Sequence, residues 1–286
     1  MPLYTPPNSY TLDTVTFPQI RLGIQGPPGS GKTYAALTFP NPIVLDFDNN
    51  LGVHVGRKDV TVVPFFNPTY IWEVLKVSNE PFQKGNFPRN DNKRPANRRD
   101  ALLKWLREHG NKLTTEQTLV LDSWTSVQNS FHEQQDMEPE YTNKNTINEY
   151  APWQNKLRYS AEVCKLLEGL TCHVVVTFHE FCERDPKSGE LIEKYRPLMQ
   201  GKFVAEIAGH FTDFFRQVVV PQKKKNGDLV KISAPPSSSE LYSLSCDREF
   251  FWQIRQDEEC DPKCGMTKVG SWKYLPANFQ SFVAYK

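Results

Sequence analysis

The chain lacks a long apolar run, an excess of either charge, and any abundance of cysteine. None of its 286 residues fall in a stretch approaching the ~18 apolar positions of a membrane-crossing helix. Residues 1–10 carry neither the basic end nor the apolar stretch of an export signal. A cytoplasmic protein is expected. With 34 Lys and Arg against 33 Asp and Glu the formal net charge is +1, so a role with nucleic acid has to be argued from local clusters rather than the total. Six cysteines without an export signal read as reduced thiols, and Cys164 and Cys172 lie among apolar neighbours that suit small buried side chains. Cys246, Cys260 and Cys264 fall closer together, but no second pair at zinc spacing accompanies Cys260 and Cys264. What is present is the composition of a soluble globular protein, 38% hydrophobic and 23% charged, with 22 prolines that stiffen its loops.

Residues 1–16 read as an extended lead-in, 17–219 as the core, and 220–286 as a β-rich C-terminal extension. Within the core, 20–24 is a short apolar strand and 31–39 a helix stopped by Pro40 and Pro42. Pro42-Ile-Val-Leu-Asp-Phe-Asp48 is an apolar run of strand length that ends in acids, the pattern of a parallel strand buried on both faces. A strand is expected at 60–65 and a helix at 70–77. Residues 84–112 form a basic insertion, nine Lys or Arg against three Asp or Glu, with a helix at 98–108. A strand at 118–122, a helix at 125–133, a polar loop at 136–148, a long amphipathic helix at 153–170 and a strand at 173–178 follow. Such alternation implies a mainly parallel sheet with helices on both faces. Beyond it, 183–190 reads as a hairpin or a mobile loop, 203–215 as a helix, 217–221 as a strand and 223–228 as a hairpin around Asn226-Gly227. Short strands at 250–255 and 272–275 close the chain.

Between the first strand and first helix stands Gly26-Pro27-Pro28-Gly29-Ser30-Gly31-Lys32-Thr33, the spacing of a loop whose amides wrap a polyphosphate. Glycine is needed where a side chain would block the phosphate. Lys32 is expected at the β- and γ-phosphates, and the Thr33 hydroxyl on Mg²⁺. Asp122, closing Leu119-Val-Leu, supplies the second metal-side group or, alternatively, caps a helix. Hydrolysis of ATP further requires a group to orient or deprotonate water. Asp48 is preferred as that base, with Asp46 in support from the same strand face and Glu180 in competition. His179, at the end of Val174-Val-Val-Thr-Phe178, is either a sensor of the γ-phosphate or a polar strand terminus.

This set of motifs resembles the RecA-like ATPases. The phosphate loop, Leu45-Asp-Phe-Asp48, Leu121-Asp-Ser123 and Val175-Val-Thr-Phe-His179 all contribute, and Thr177-Phe-His-Glu180, Pro197 to Lys202 and Trp272 to Phe279 look like phage-encoded RecA/RadA-like proteins of single-strand annealing and recombination. The resemblance implies a three-layer αβα P-loop NTPase core with a mainly parallel sheet and a small β-rich extension. It also implies ATP and Mg²⁺ as cofactors, Asp48 as activator of water, Asp122 on Mg²⁺, and His179 at the γ-phosphate. Its partners would be single-stranded DNA, further copies of the chain in a ring or filament, and a single-strand-binding protein. The chain departs from the pattern in carrying Asp48 where such proteins usually have Glu, and in its basic insertion. Candidate DNA contacts are Arg94, Arg98, Arg99, Arg184, Lys187, Lys223, Lys224 and Lys225, with Phe87, Trp105 and Tyr195 as stacking aromatics. Lys223 to Lys225, Lys231 and Lys268 are candidates for reaching a neighbouring subunit's phosphate. An ATPase acting on protein partners, such as a helicase loader or packaging motor, shares the core, and a small-molecule kinase is the more distant alternative.

Overall fold

Short β-branched runs separated by amphipathic stretches can bury themselves only as strands covered by helices, and the chain resolves into that arrangement. The computed structural model describes residues 19–75, 98–137, 151–182, 187–188, 194–199, 203–221, 224–225, 228–229, 248–256, 260–264 and 274–285. The strands are β1 (Arg21–Gly26), β2 (Pro42–Asp46), β3 (Thr61–Pro64), β4 (Thr118–Asp122), β5 (His173–Phe181), β6 (Arg196–Pro197), β7 (Asp213–Pro221), β8 (Lys224–Lys225), β9 (Asp228–Leu229), β10 (Arg248–Gln253) and β11 (Tyr274–Pro276). The helices are α1 (Lys32–Ala36), α2 (Pro68–Leu75), α3 (Arg98–His109), α4 (Trp124–Met137), α5 (Ala151–Glu168), α6 (Phe203–Glu206) and α7 (Phe279–Tyr285). Among the described residues no helix is long and apolar enough to cross a membrane.

The main sheet runs β11-β10-β7-β1-β5-β4-β2-β3, with β6 added on β5. From β7 to β3 every pairing is parallel; β10 and β11 continue the same sheet in antiparallel fashion. The phosphate-loop strand β1 is thus central, and β5 separates it from β4. Period-2 alternation divides the core in two. Leu119, Leu121, Val174, Val176 and Phe178 face α2 to α5 with Leu102, Trp105, Val127 and Leu167. Val120, Val175, Leu22, Ile24 and Val44 face the other way, onto Ala35 and Ala36 of α1, Trp252 of β10 and Phe282 of α7.

The expected helix at 203–215 ends early. Only α6 and a 3₁₀ turn at Ile207–His210 are helical, and Asp213 already opens β7. Pairing decides this, because Leu22 to Gln25 of β1 align with Asp213 to Arg216, and Phe214 and Phe215 then go to opposite faces, one into each core. Tertiary burial overrides local helical spacing. The first helix is also shorter than the expected 31–39, and α7 had no counterpart in the sequence reading. Lys224–Lys225 pairs antiparallel with Asp228–Leu229 around the Asn-Gly dipeptide, as the hairpin expectation had it. Residues 1–16, the first half of the basic insertion (84–97), most of the expected loop at 136–148 and most of 183–190 lie outside the described residues.

β1 can be central only because Gly23 yields its side-chain space to Phe214. A Cβ there would lie 2.2 Å from Phe214 Cδ2. Gly23→Ala is therefore expected to lower stability by about 1–3 kcal/mol through overpacking, read as a lower urea midpoint, and Phe214→Leu in the same chain should restore part of it. An unchanged midpoint in Gly23→Ala would contradict this packing.

Candidate phosphate-binding site

The loop between β1 and α1 turns through two left-handed glycines, Gly29 (φ 73°) and Gly31 (φ 82°), backbone that a β-carbon disfavours. Gly31 is the residue before α1, so the first helical amides open into a cleft of about 710 Å³ lined by Pro28, Lys32, Thr33, Asp48, Asp122 and His179 among others. Lys32 is almost buried, and its Nζ donates to the carbonyl oxygens of Gly26 and Pro27, each at 2.8 Å. Desolvation lowers its pKa to about 8, against the raising influence of Asp122, Glu180 and Asp48. The loop thus holds a cation in waiting among its own carbonyls.

Alternation along β4 and β5 puts Asp122 and Thr177 on the α1 side of the sheet, opposite Leu121 and Val176. Thr33 Oγ1 donates to Asp122 Oδ2 at 2.8 Å, and the Thr177 hydroxyl donates to Asp122 Oδ1. Burial pushes the Asp122 carboxyl above the usual carboxylate range; the two hydroxyls and Lys32 act against that shift, while Asp48 adds to it. The Asp122–Ser123 peptide is cis.

β2 ends at Asp46, so the premise that Asp46 and Asp48 share a strand face does not hold. Asp46 Oδ1 instead accepts the backbone N–H groups of Asp48 (3.1 Å) and Asn49 (2.8 Å), shaping a turn in which Asn49 is left-handed (φ 56°). That turn delivers Asp48 into the cleft. Its Oδ2 lies 3.6 Å from His179 Nε2, and Oδ1 is buried with no hydrogen-bond partner among the described residues. Burial would raise its pKa, but His179 and the serines Ser126 and Ser123 outweigh burial and hold the carboxyl below its ordinary value.

His179 is fixed through its backbone. Its N–H donates to Thr125 Oγ1 (3.3 Å), and its carbonyl accepts from the N–H of Leu198 (2.6 Å). Glu180, the competing base, lies elsewhere: Arg216 Nε and Nη2 hold its two oxygens at 3.0 and 3.2 Å, and Tyr195 stacks on the guanidinium 3.5 Å from its ring centroid. A doubly held, buried carboxylate is a structural anion rather than a free base. No local signal in the sequence announces this pair, since 36 residues separate its members.

Other candidates scatter. Arg99 stacks on Tyr159 at 4.2 Å and bonds Asp100, and Trp105 is in the core, where it cannot stack on a base. Arg98 starts α3, Lys187 is exposed, and Lys224 and Lys225 form β8. Arg94, Arg184, Lys223, Lys231, Lys268, Phe87 and Cys246 lie outside the described residues. Cys260 is buried, with its sulfur 3.3 Å from Gln25 Nε2. The sequence reading missed Tyr34, His54 and Phe250, which line the same cleft.

A glycine-turned loop on a central parallel strand, a lysine at the head of the next helix and an aspartate on a strand two places away define a P-loop nucleoside-triphosphatase. A family model described as AAA domain matches residues 19–234, three quarters of the chain. The chain belongs to this family of AAA-type P-loop ATPases. A search of curated proteins found no match.

Because the Lys32 pKa stands at about 8, the ammonium loses its proton as pH rises through that value, and a bound polyanion must then restore it. Affinity for ATP or inorganic tripolyphosphate is expected to be level up to pH 8. Above it, affinity should fall by up to about tenfold per pH unit, measured by calorimetry. Lys32→Ala should flatten the profile; a level profile in the unaltered protein would remove Lys32 from the binding charge.

Proposed function

We propose that the protein is a Mg²⁺-dependent, RecA-like ATPase that couples ATP binding and hydrolysis to assembly on single-stranded DNA. The observation that carries the reading is the source of the cleft's free acid. The residue after Asp122 is Ser123, so the metal-side strand supplies no base of its own, and Asp48 arrives instead on the turn that follows the adjoining β2. That is the placement the RecA resemblance implies.

The donor set suits a hard divalent ion: the Thr33 hydroxyl and the Asp122 carboxyl are already in contact, and burial holds that same carboxyl above its usual range. Mg²⁺ held by Thr33 and Asp122 would neutralise charge on the β- and γ-phosphate oxygens. Lys32 then exchanges the loop carbonyls for phosphate oxygens. Asp48, deprotonated at neutral pH, takes a proton from water as the water oxygen bonds to the γ-phosphorus and the bridging oxygen leaves with ADP. The nearby His179, with Ser126 and Ser123, keeps Asp48 a weak base. His179 turning to the γ-phosphate would release that hold and strengthen Asp48 as substrate arrives.

Support for single-stranded DNA lies next to His179. Phe181, two residues on, is 40% exposed, and the Arg196 guanidinium lies over one face of its ring, 5.5 Å from the centroid, an aromatic side chain paired with a cation. The backbone bond from Leu198 to His179 ties this patch to the proposed phosphate sensor.

The test is ATPase rate with and without single-stranded DNA. DNA should accelerate turnover, Phe181→Ala should abolish that acceleration while sparing the basal rate, and Lys32→Ala should remove turnover. Asp48→Asn should still bind ATP but turn over roughly 100-fold more slowly or worse. A rate indifferent to DNA would point to protein partners instead, and undiminished turnover in Asp48→Asn would dismiss Asp48 as the base.

A further inference from the structure

The cleft has a second wall that phosphate chemistry leaves unused. Thr33, Asp122, Asp48 and His179 mark where the terminal phosphate goes, so the rest of a nucleotide must leave across Gly31 and past the next residue of α1, Tyr34. Tyr34 is 49% exposed, although its neighbours Ala35 and Ala36 are fully buried. Its ring centroid stands 5.8 Å from that of Phe250 and 6.5 Å from that of His54. Phe250 lies on β10 and covers the phosphate loop itself, since a Cβ on Gly31 would be 2.5 Å from Phe250 Cε1. It falls outside residues 19–234, the part of the chain that the AAA-domain family accounts for. Burial and the nearby Arg57 keep His54 below its usual range, so at neutral pH it presents an uncharged ring.

We infer that Tyr34 and Phe250 form the seat of the nucleobase and grip it by stacking rather than by hydrogen bonds to its edge. The inference rests on the phosphate-loop reading and extends it to a residue from the C-terminal strands. Stacking tolerates any base with a π-face, whereas a pocket built to hydrogen-bond a base edge rejects the wrong base strongly. The seat is therefore expected to hold adenine and guanine nucleotides alike, with ATP selected over GTP by supply more than by fit.

The test is calorimetric titration of the full chain with Mg-ATP, Mg-GTP and magnesium tripolyphosphate, the last carrying no base. Tyr34→Ala and Phe250→Leu are compared with the unaltered protein; leucine keeps the packing on Gly31 but removes the π-face, and thermal melts check that both variants fold. Each variant should bind Mg-ATP about tenfold more weakly, ~1.4 kcal/mol, with tripolyphosphate affinity unchanged. ATP and GTP should bind the unaltered protein within about tenfold of each other. Unchanged ATP affinity in the variants, equal losses for tripolyphosphate, or a larger gap between ATP and GTP would overturn the stacking seat while leaving the phosphate loop standing. If the unaltered protein bound neither ATP nor tripolyphosphate, the phosphate-loop reading would fall and the seat with it.

Discussion

The site depends on one buried carboxylate. Asp122 sits inside the fold with a hydroxyl on each oxygen, Thr33 from α1 and Thr177 from β5, so a single charged group fastens three segments that are remote in sequence. Burying an anion is costly unless it is hydrogen-bonded and paired. Two hydroxyls and a lysine meet that demand only partly. The same dry surroundings that raise the Asp122 pKa lower that of Lys32. Burial drives both shifts, and the attraction between the two groups offsets it only in part. A metal-bound polyphosphate would bring an anion to the lysine and a cation to the acid at once.

Two further acids at the same sheet edge have opposite fates, and their partners decide which is available for chemistry. Glu180 is clasped by Arg216 under Tyr195 and serves to fasten β5 to β7. Asp48 stands on a turn that Asp46 shapes from beneath, 3.6 Å from His179 Nε2. One sheet edge thus holds one carboxylate clasped by an arginine and another that lines the cleft, a difference set by their partners.

Much of this was legible in the residues because parallel strands buried on both faces are short apolar runs closed by polar groups. β1, β2, β4 and β5 announce themselves in that way, and the glycine spacing places the phosphate loop between β1 and α1. Alternation along a strand is enough to bring Asp122 and Thr177 to one side. What stayed hidden came from pairing at a distance. Phe214 and Phe215 look helical in their own neighbourhood but are drawn into β7 by β1. Phe250 has no local mark of its closeness to Gly31, and the pairing of Arg216 with Glu180 is invisible until β5 and β7 flank β1. The C-terminal helix left one faint trace, Phe279 and Phe282 three residues apart, which both reach Phe39.

That last contact bears on how the chain comes to be folded as it is made. The helix carrying Lys32 is made well before the segments that cover it: the underside of its segment, Ala35, Ala36 and Phe39, packs against Trp252, Leu275 and Phe282, and the N–H of Phe279 donates to Thr38 Oγ1 at 2.8 Å. Until those later residues are made, that oily stripe is without its cover, a state that invites chaperones or aggregation. The half of the molecule that holds the phosphate loop is completed only by strands and a helix made much later than the loop itself.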